Sequence, residues 1–196
     1  MPLTQCGENS TINAGKMVSE IYRVLKQNGV YIIASANLVK DNIITTNGNA
    51  GVLIGNGSGN ALRGNSISAN GALGIDLAPD GVTPNDTGDK DKGANKKQNF
   101  PVLTAASAKP GKVKGTLNSS PNKSYGIEFF TFEKCDSSHN GEGNLLLGLK
   151  TVKTDSTGNI TFSFKATGLV AGQFVTATAT DSKGNTSEFS KCIKIK

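Results

Sequence analysis

Two stretches of this chain repeat one another. Set "NLVKDNIITTNGNAGVLI" (37–54) over "NALRGNSISANGALGIDL" (60–77), and Asn37 falls on Asn60, Asn42 on Asn65, Asn47 on Asn70, Gly48 on Gly71 and Gly51 on Gly74. One offset of 23 residues accounts for all five pairs, and Ile44 follows onto Ile67. Short apolar runs parted by Asn and Gly corners at such a period suit one rung of a parallel β-helix, in which each rung buries its apolar face only by stacking on the next. Asn recurs at the corners because it accepts left-handed backbone and can hydrogen-bond to the Asn of the neighbouring rung. "NGVYI" (28–32) lies about one rung before "AGVLI" (50–54), so the same stack is expected to reach back to residue 28.

Composition agrees with many tight turns. Of 196 residues, 24 are Gly and 20 are Asn, the two residue types that best tolerate positive φ. The net charge of +6 comes almost wholly from Lys, with Arg only at Arg23 and Arg63 and no Trp. Nucleic-acid readers rely on Arg forks and aromatic platforms, so no nucleic-acid partner is expected. No apolar run reaches membrane-spanning length, and the first residues lack the charged start and apolar core of a signal peptide.

Before the repeat, Met17, Ile21, Val24 and Leu25 fall on one face of a helix over 13–27, with Asn13 as a start and Asn28-Gly29 as a stop. Solenoid ends expose apolar rungs and unpaired edges, so this helix is expected to act as a lid on the open end. After the repeat, 78–99 is a polar connector. From Phe100 onward the period becomes two, as in "NITFSF" (159–164) and "QFVTATAT" (173–180), with further strands expected at 101–106, 112–118, 125–132, 145–154 and 187–195. The matching turns "DSTGN" (155–159) and "DSKGN" (181–185) place Asp first and Gly at the left-handed position. About seven short strands in this span predict an immunoglobulin-like sandwich, without its usual Trp. The expected fold is thus mainly β: an N-terminal capping helix, a short right-handed parallel β-helix stub and a sandwich, divided as 1–35, 36–99 and 100–196.

The blocks "GNSISANGALGIDLAPDGVTPND" (64–86), "GDKDKGANKKQNFPVLTAA" (88–106), "CDSSHNGEGN" (135–144) and "AGQFVTATATDSKGNTSEFSKC" (171–192) occur in order. Through them 36–196 resembles the C-terminal end of bacterial surface proteins with right-handed parallel β-helix repeats. That resemblance implies an exported or cell-surface structural or adhesive module with surface glycans or surface proteins as partners, and no catalysis. It also favours a disulfide between Cys135 and Cys192, with Cys6 left over. Separately, "CGENSTINAGKMVSEIYRVLKQNGVYIIAS" (6–35) resembles a late segment of class I S-adenosylmethionine-dependent methyltransferases. The cofactor-binding Gly-rich turn and acidic residue of that family would precede Met1, so no cofactor site can be assembled from it. A methyltransferase remnant and a carbohydrate-binding or carbohydrate-cleaving module stand as alternative functions.

Asp86, Asp89, Asp91 and Asn95 crowd oxygen ligands into the connector, with Gly88 and Gly93 letting it curl. Calcium takes about six to eight oxygens from such loops. Lys90, Lys92, Lys96 and Lys97 lie among them, and the EF-hand glutamate is missing, which suits a solvated or salt-bridged linker instead. Catalytic candidates are few. His139 is the lone histidine, Asp41 and Asp76 are the acids near the rungs, and Glu128 with Glu133 reads as an exposed strand face.

Overall fold

The computed structural model describes residues 24–27, 29–79, 81–135 and 138–196. Eight short strands run in three parallel sheets. β1 (Val24–Gln27), β4 (Ile43–Asn47) and β7 (Ser66–Ser68) form one, and β2 (Val30–Ile32), β5 (Val52–Ile54) and β8 (Ile75–Leu77) the second. β3 (Leu38–Lys40) and β6 (Ala61–Arg63) form the third. The chain visits the three sheets in turn and then starts again one layer on, as a solenoid must.

Register follows the repeat read from the sequence: Leu38 pairs with Ala61, Ile44 with Ile67 and Val52 with Ile75, each 23 residues on. Like therefore stacks on like. Val30, Val52 and Ile75 form one interior column, and Ile32, Ile54 and Leu77 a second. Burying each such side chain stabilises by about 1.5–3 kcal/mol.

Each corner has one construction. A residue with positive φ, at Ala36, Asp41 and Thr46 in one rung and at Gly59, Gly64 and Ala69 in the next, is followed immediately by the ladder asparagine. The upper Asn donates from both its backbone N and its side chain to the Oδ1 of the Asn below. These bonds measure 3.1 and 2.7 Å for Asn37 on Asn60, 3.0 and 3.0 Å for Asn42 on Asn65, and 3.2 and 2.7 Å for Asn47 on Asn70. Left-handed backbone at non-Gly residues costs about 1–3 kcal/mol; the ladder bonds offset it by satisfying donors that no strand partner reaches.

Residues 24–27 correct the expected helix. They form strand β1, with Val24 opposite Ile43 and Leu25 opposite Ile44. The exposed edge of a parallel sheet offers a full set of backbone partners, and that tertiary pairing overrides a helical spacing of apolar residues. Residues 13–23 of the expected helix, with Met17 and Ile21, lie outside the described residues. β2 likewise belongs to the solenoid, so no boundary separates it from the rungs at residue 35.

Beyond the connector come β9 (Val102–Ser107), β10 (Lys112–Asn118), β11 (Ser124–Phe132), β12 (Leu145–Lys153), β13 (Asn159–Lys165), β14 (Phe174–Asp181) and β15 (Ile193–Lys194). They make two antiparallel sheets, ordered β13-β10-β9 and β12-β11-β14-β15. Val113, Leu117, Ile127, Phe162, Val175 and Ala177 fill the core between them, around Phe129 stacked on Phe164 at 4.3 Å. Both matched turns form as expected: the Oδ1 of Asp155 accepts from Thr157 and Asn159, that of Asp181 from Lys183 and Asn185, and Gly158 and Gly184 take positive φ.

Candidate functional site

Two regions concentrate polar groups that the strands do not use. One is the end of the solenoid where the two-sheet unit meets it; the other is the connector.

A last rung has backbone N–H groups with no further rung to receive them, and burying them unpaired costs about 1–3 kcal/mol each. Three glutamates of the two-sheet unit accept them. Glu188 takes Leu77 N on Oε1 at 3.1 Å and Thr83 N on Oε2 at 2.9 Å. Glu142 takes Ala69 N at 2.6 Å and Asn70 N at 3.1 Å, together with the Asn70 side chain at 2.8 Å. Glu128 takes Gly64 N at 3.2 Å. Ile67 and Gly143 exchange two backbone bonds of 2.7 and 2.8 Å. Phe130 and Phe189, edge to face at 5.4 Å, pack into the same core as Leu62, Ile67, Ile75 and Leu77. The outer face of the second sheet thus closes the solenoid.

That closure changes two sequence readings. Glu128, expected on an exposed face, is buried, whereas Glu133 is exposed. A period of two assigns a residue to the outer face of a sheet but not what covers that face. Burial raises the Glu128 carboxyl above its ordinary range, against the opposing pull of the Gly64 bond and Arg63. Burial likewise pushes Glu188 up to about 7, the Leu77 and Thr83 bonds opposing. Neither Glu142 nor Glu188 was singled out from the sequence. The apolar neighbours on both sides of Glu128 in "YGIEFF" (125–130) were the one available signal.

In the connector, Asp86, Asp89 and Asp91 each bring a carboxylate oxygen within 4.8 Å of the others. Asp89 is the anchor. Its oxygens accept from Gln98 Nε2 at 2.7 Å, Asn99 N at 3.1 Å and the Ser119 hydroxyl. Burial raises it to about 6, with the Ser119 and Asn99 bonds opposing and Asp86 and Asp91 adding to the rise. Asp86 accepts Lys90 N at 3.0 Å on Oδ2. The other oxygen of Asp86 and Oδ1 of Asp91 are buried with no hydrogen-bond partner. Buried oxygens left without donors suit a hard cation, which needs oxygens and no hydrogens.

Asn95 does not join them. It is wholly buried, its Oδ1 accepts Asn60 N at 2.9 Å, and its Nδ2 donates to Asn60 O at 2.7 Å and Thr186 O at 3.0 Å. It extends the Asn37–Asn60 ladder by one further step, and its spacing of 35 residues from Asn60 hides it from the 23-residue period. To reach that place, Asn95, Lys96 and Lys97 take three successive left-handed conformations.

The remaining candidates are dispersed. Asp41 is exposed and pairs with Lys40 at 3.2 Å, and Asp76 is buried and accepts Gly81 N at 3.2 Å. His139 is exposed, and its carbonyl accepts Cys192 N at 3.0 Å. Cys135 and Cys192 are joined as a disulfide, their Cα atoms 6.2 Å apart. Among the described residues no helix is long and apolar enough to cross a membrane.

A solved structure titled "Biofilm associated protein - BSP domain" is 22% identical over 52% of this chain and 15% of its own length, with a TM-score of 0.36. The chain therefore spans a small part of that structure. No curated protein matches the chain. The family model "Right handed beta helix region" matches residues 6–85. That span includes 6–35, which resembled a methyltransferase segment; within it, β1 and β2 pair with strands of the solenoid. The chain is mainly β, and its residues 6–85 carry a match to the right-handed β-helix.

Proposed function

We propose that this chain is a non-catalytic structural or adhesive module of a cell-surface-type β-helix protein: solenoid rungs closed by an immunoglobulin-like sandwich. The carrying observation is the closure itself. Glu128, Glu142 and Glu188 all direct their carboxylates at backbone donors of the last rung, which supports a structural role for these acids at the joint. A strand order of β13-β10-β9 against β12-β11-β14-β15 supports the immunoglobulin-like reading, with the fourth strand on the sheet of the third. Cell-surface glycans or other surface proteins are the partners, and an extracellular location suits the Cys135–Cys192 bond.

The test has two arms. Antibody labelling of intact cells making the protein should reach it without permeabilisation, and incubation with polysaccharides should release no reducing ends. Labelling only after permeabilisation contradicts the location, and steady release of reducing ends contradicts the non-catalytic role.

Calcium is the cation proposed for the connector, at Asp86, Asp89 and Asp91, on the strength of the two partnerless oxygens of Asp86 and Asp91. Asn95 is not included. Millimolar calcium should raise the melting temperature of the wild type and not that of Asp86→Asn/Asp91→Asn. An unchanged wild-type melting temperature rules the site out.

A further inference from the structure

Beside the connector runs a polar trough that the closure does not explain and that Asp89 and Asp91 of the proposed cation set also line. One wall is the solenoid corner at Ser35 and Asn56–Ser58; the other is the connector from Asp89 to Gly93, with Lys96. This cleft holds about 540 Å³ and meets a second cavity of about 150 Å³ at Asp89, Lys96 and Ser120, where Lys123 and Lys183 continue the lining.

The charges in it are unequal in availability. Asp89 is filled by Gln98, Asn99 and Ser119. Asp181, in the second cavity, is filled by Lys183 N, Asn185 N and the Asn185 side chain. Lys90, Lys92, Lys96, Lys123 and Lys183 are exposed, and none forms an ion pair with a described residue. Five lysines therefore line the two adjoining cavities, while Asp89 and Asp181 accept from the protein's own donors and Asp91 keeps one oxygen without a hydrogen-bond partner. Backbone strain points the same way. Lys96 lines both cavities because it sits in the middle of the left-handed run held by buried Asn95. Strain maintained by a buried anchor is a mark of a functional position.

We infer that this trough binds an anionic polysaccharide, a chain bearing carboxylate or sulfate groups, with Lys90, Lys92 and Lys96 pairing its anions and Ser35, Asn56 and Ser58 meeting its hydroxyls. A nucleic acid fits less well, because the trough has no arginine and its one lining aromatic, Tyr125, is buried. The inference deepens the surface-module reading by naming a ligand class.

Affinity electrophoresis of the full chain tests it, with polygalacturonate, heparin, dextran and single-stranded DNA in the gel. Polygalacturonate or heparin should retard the protein, whichever anion is preferred, and dextran should not. Lys92→Gln/Lys96→Asn, in which Asn keeps the left-handed backbone accessible, should weaken retardation roughly tenfold, at about two- to fivefold per exposed charge. Lys112→Gln/Lys165→Gln, outside the trough, removes the same charge and should leave retardation unchanged, with the melting temperature of each variant confirming its fold. Equal loss in both variants, no retardation, or stronger retardation by DNA would each overturn the proposal. These outcomes leave the surface labelling of intact cells untouched, so the two readings fail separately.

Discussion

Glu188→Gln is the sharpest probe of the joint. The wild-type side chain is 1% exposed and receives two backbone N–H groups, one on each oxygen. Burial raises its carboxyl from an ordinary 4.5 to about 7, and Asp76 adds to the rise. A group whose folded pKa lies above its unfolded one binds the proton more tightly when folded. Its contribution is therefore fully present below pH 4.5 and is lost as the pH rises through 7. At about 1.4 kcal/mol per pH unit the loss is about 3 kcal/mol. Glutamine mimics the protonated acid and cannot ionise. Urea unfolding of both proteins from pH 4 to pH 8 should give a stability difference that moves by about 3 kcal/mol in the variant's favour as the pH rises. The raised carboxyls of Asp89 and Glu128 slope both curves in the same direction and cancel in the difference. Parallel curves for the two proteins would refute the reasoning.

The ladder and the cross-link offer further checks. Asn65→Ala strips the acceptor from Asn42 N and its side-chain amide and the donor from Val39 O, all at 3.0 Å or less; it should cost about 2–4 kcal/mol in urea unfolding. Gly57 has φ +83 and an added Cβ would collide with the backbone of Ala34, so Gly57→Ala should lower stability by more than about 2 kcal/mol. Reducing the Cys135–Cys192 bond, which spans 57 residues, should lower stability by about 3–4 kcal/mol, read as a shift in the urea midpoint without and with reductant.

The solenoid was legible because its physics is periodic. A ladder Asn must recur wherever rungs stack, so Asn37, Asn42 and Asn47 announce Asn60, Asn65 and Asn70. The strands of the two-sheet unit were legible to within a residue or two for the same reason, with one exception. The strand expected at 187–195 shortens to Ile193–Lys194, because Glu188 and Phe189 turn to the solenoid. What escaped the sequence was what one unit does to the other. Helical spacing at Val24 and Leu25 gave way to an available sheet edge. Glu128 looked exposed until a second body covered it. Asn95 looked like a ligand among aspartates, yet tertiary contact makes it the next step of a ladder.

Native-state hydrogen exchange at Leu77 and Thr83 tests the joint most directly, since each donates its backbone N–H to Glu188 across it. If the two-sheet unit closes the solenoid as one cooperative body, these amides open only with the same free energy as Ile127 in the core between the two sheets. Exchange at Leu77 and Thr83 that is orders of magnitude faster, while Ile127 stays protected, would show a solenoid end that is not closed at all.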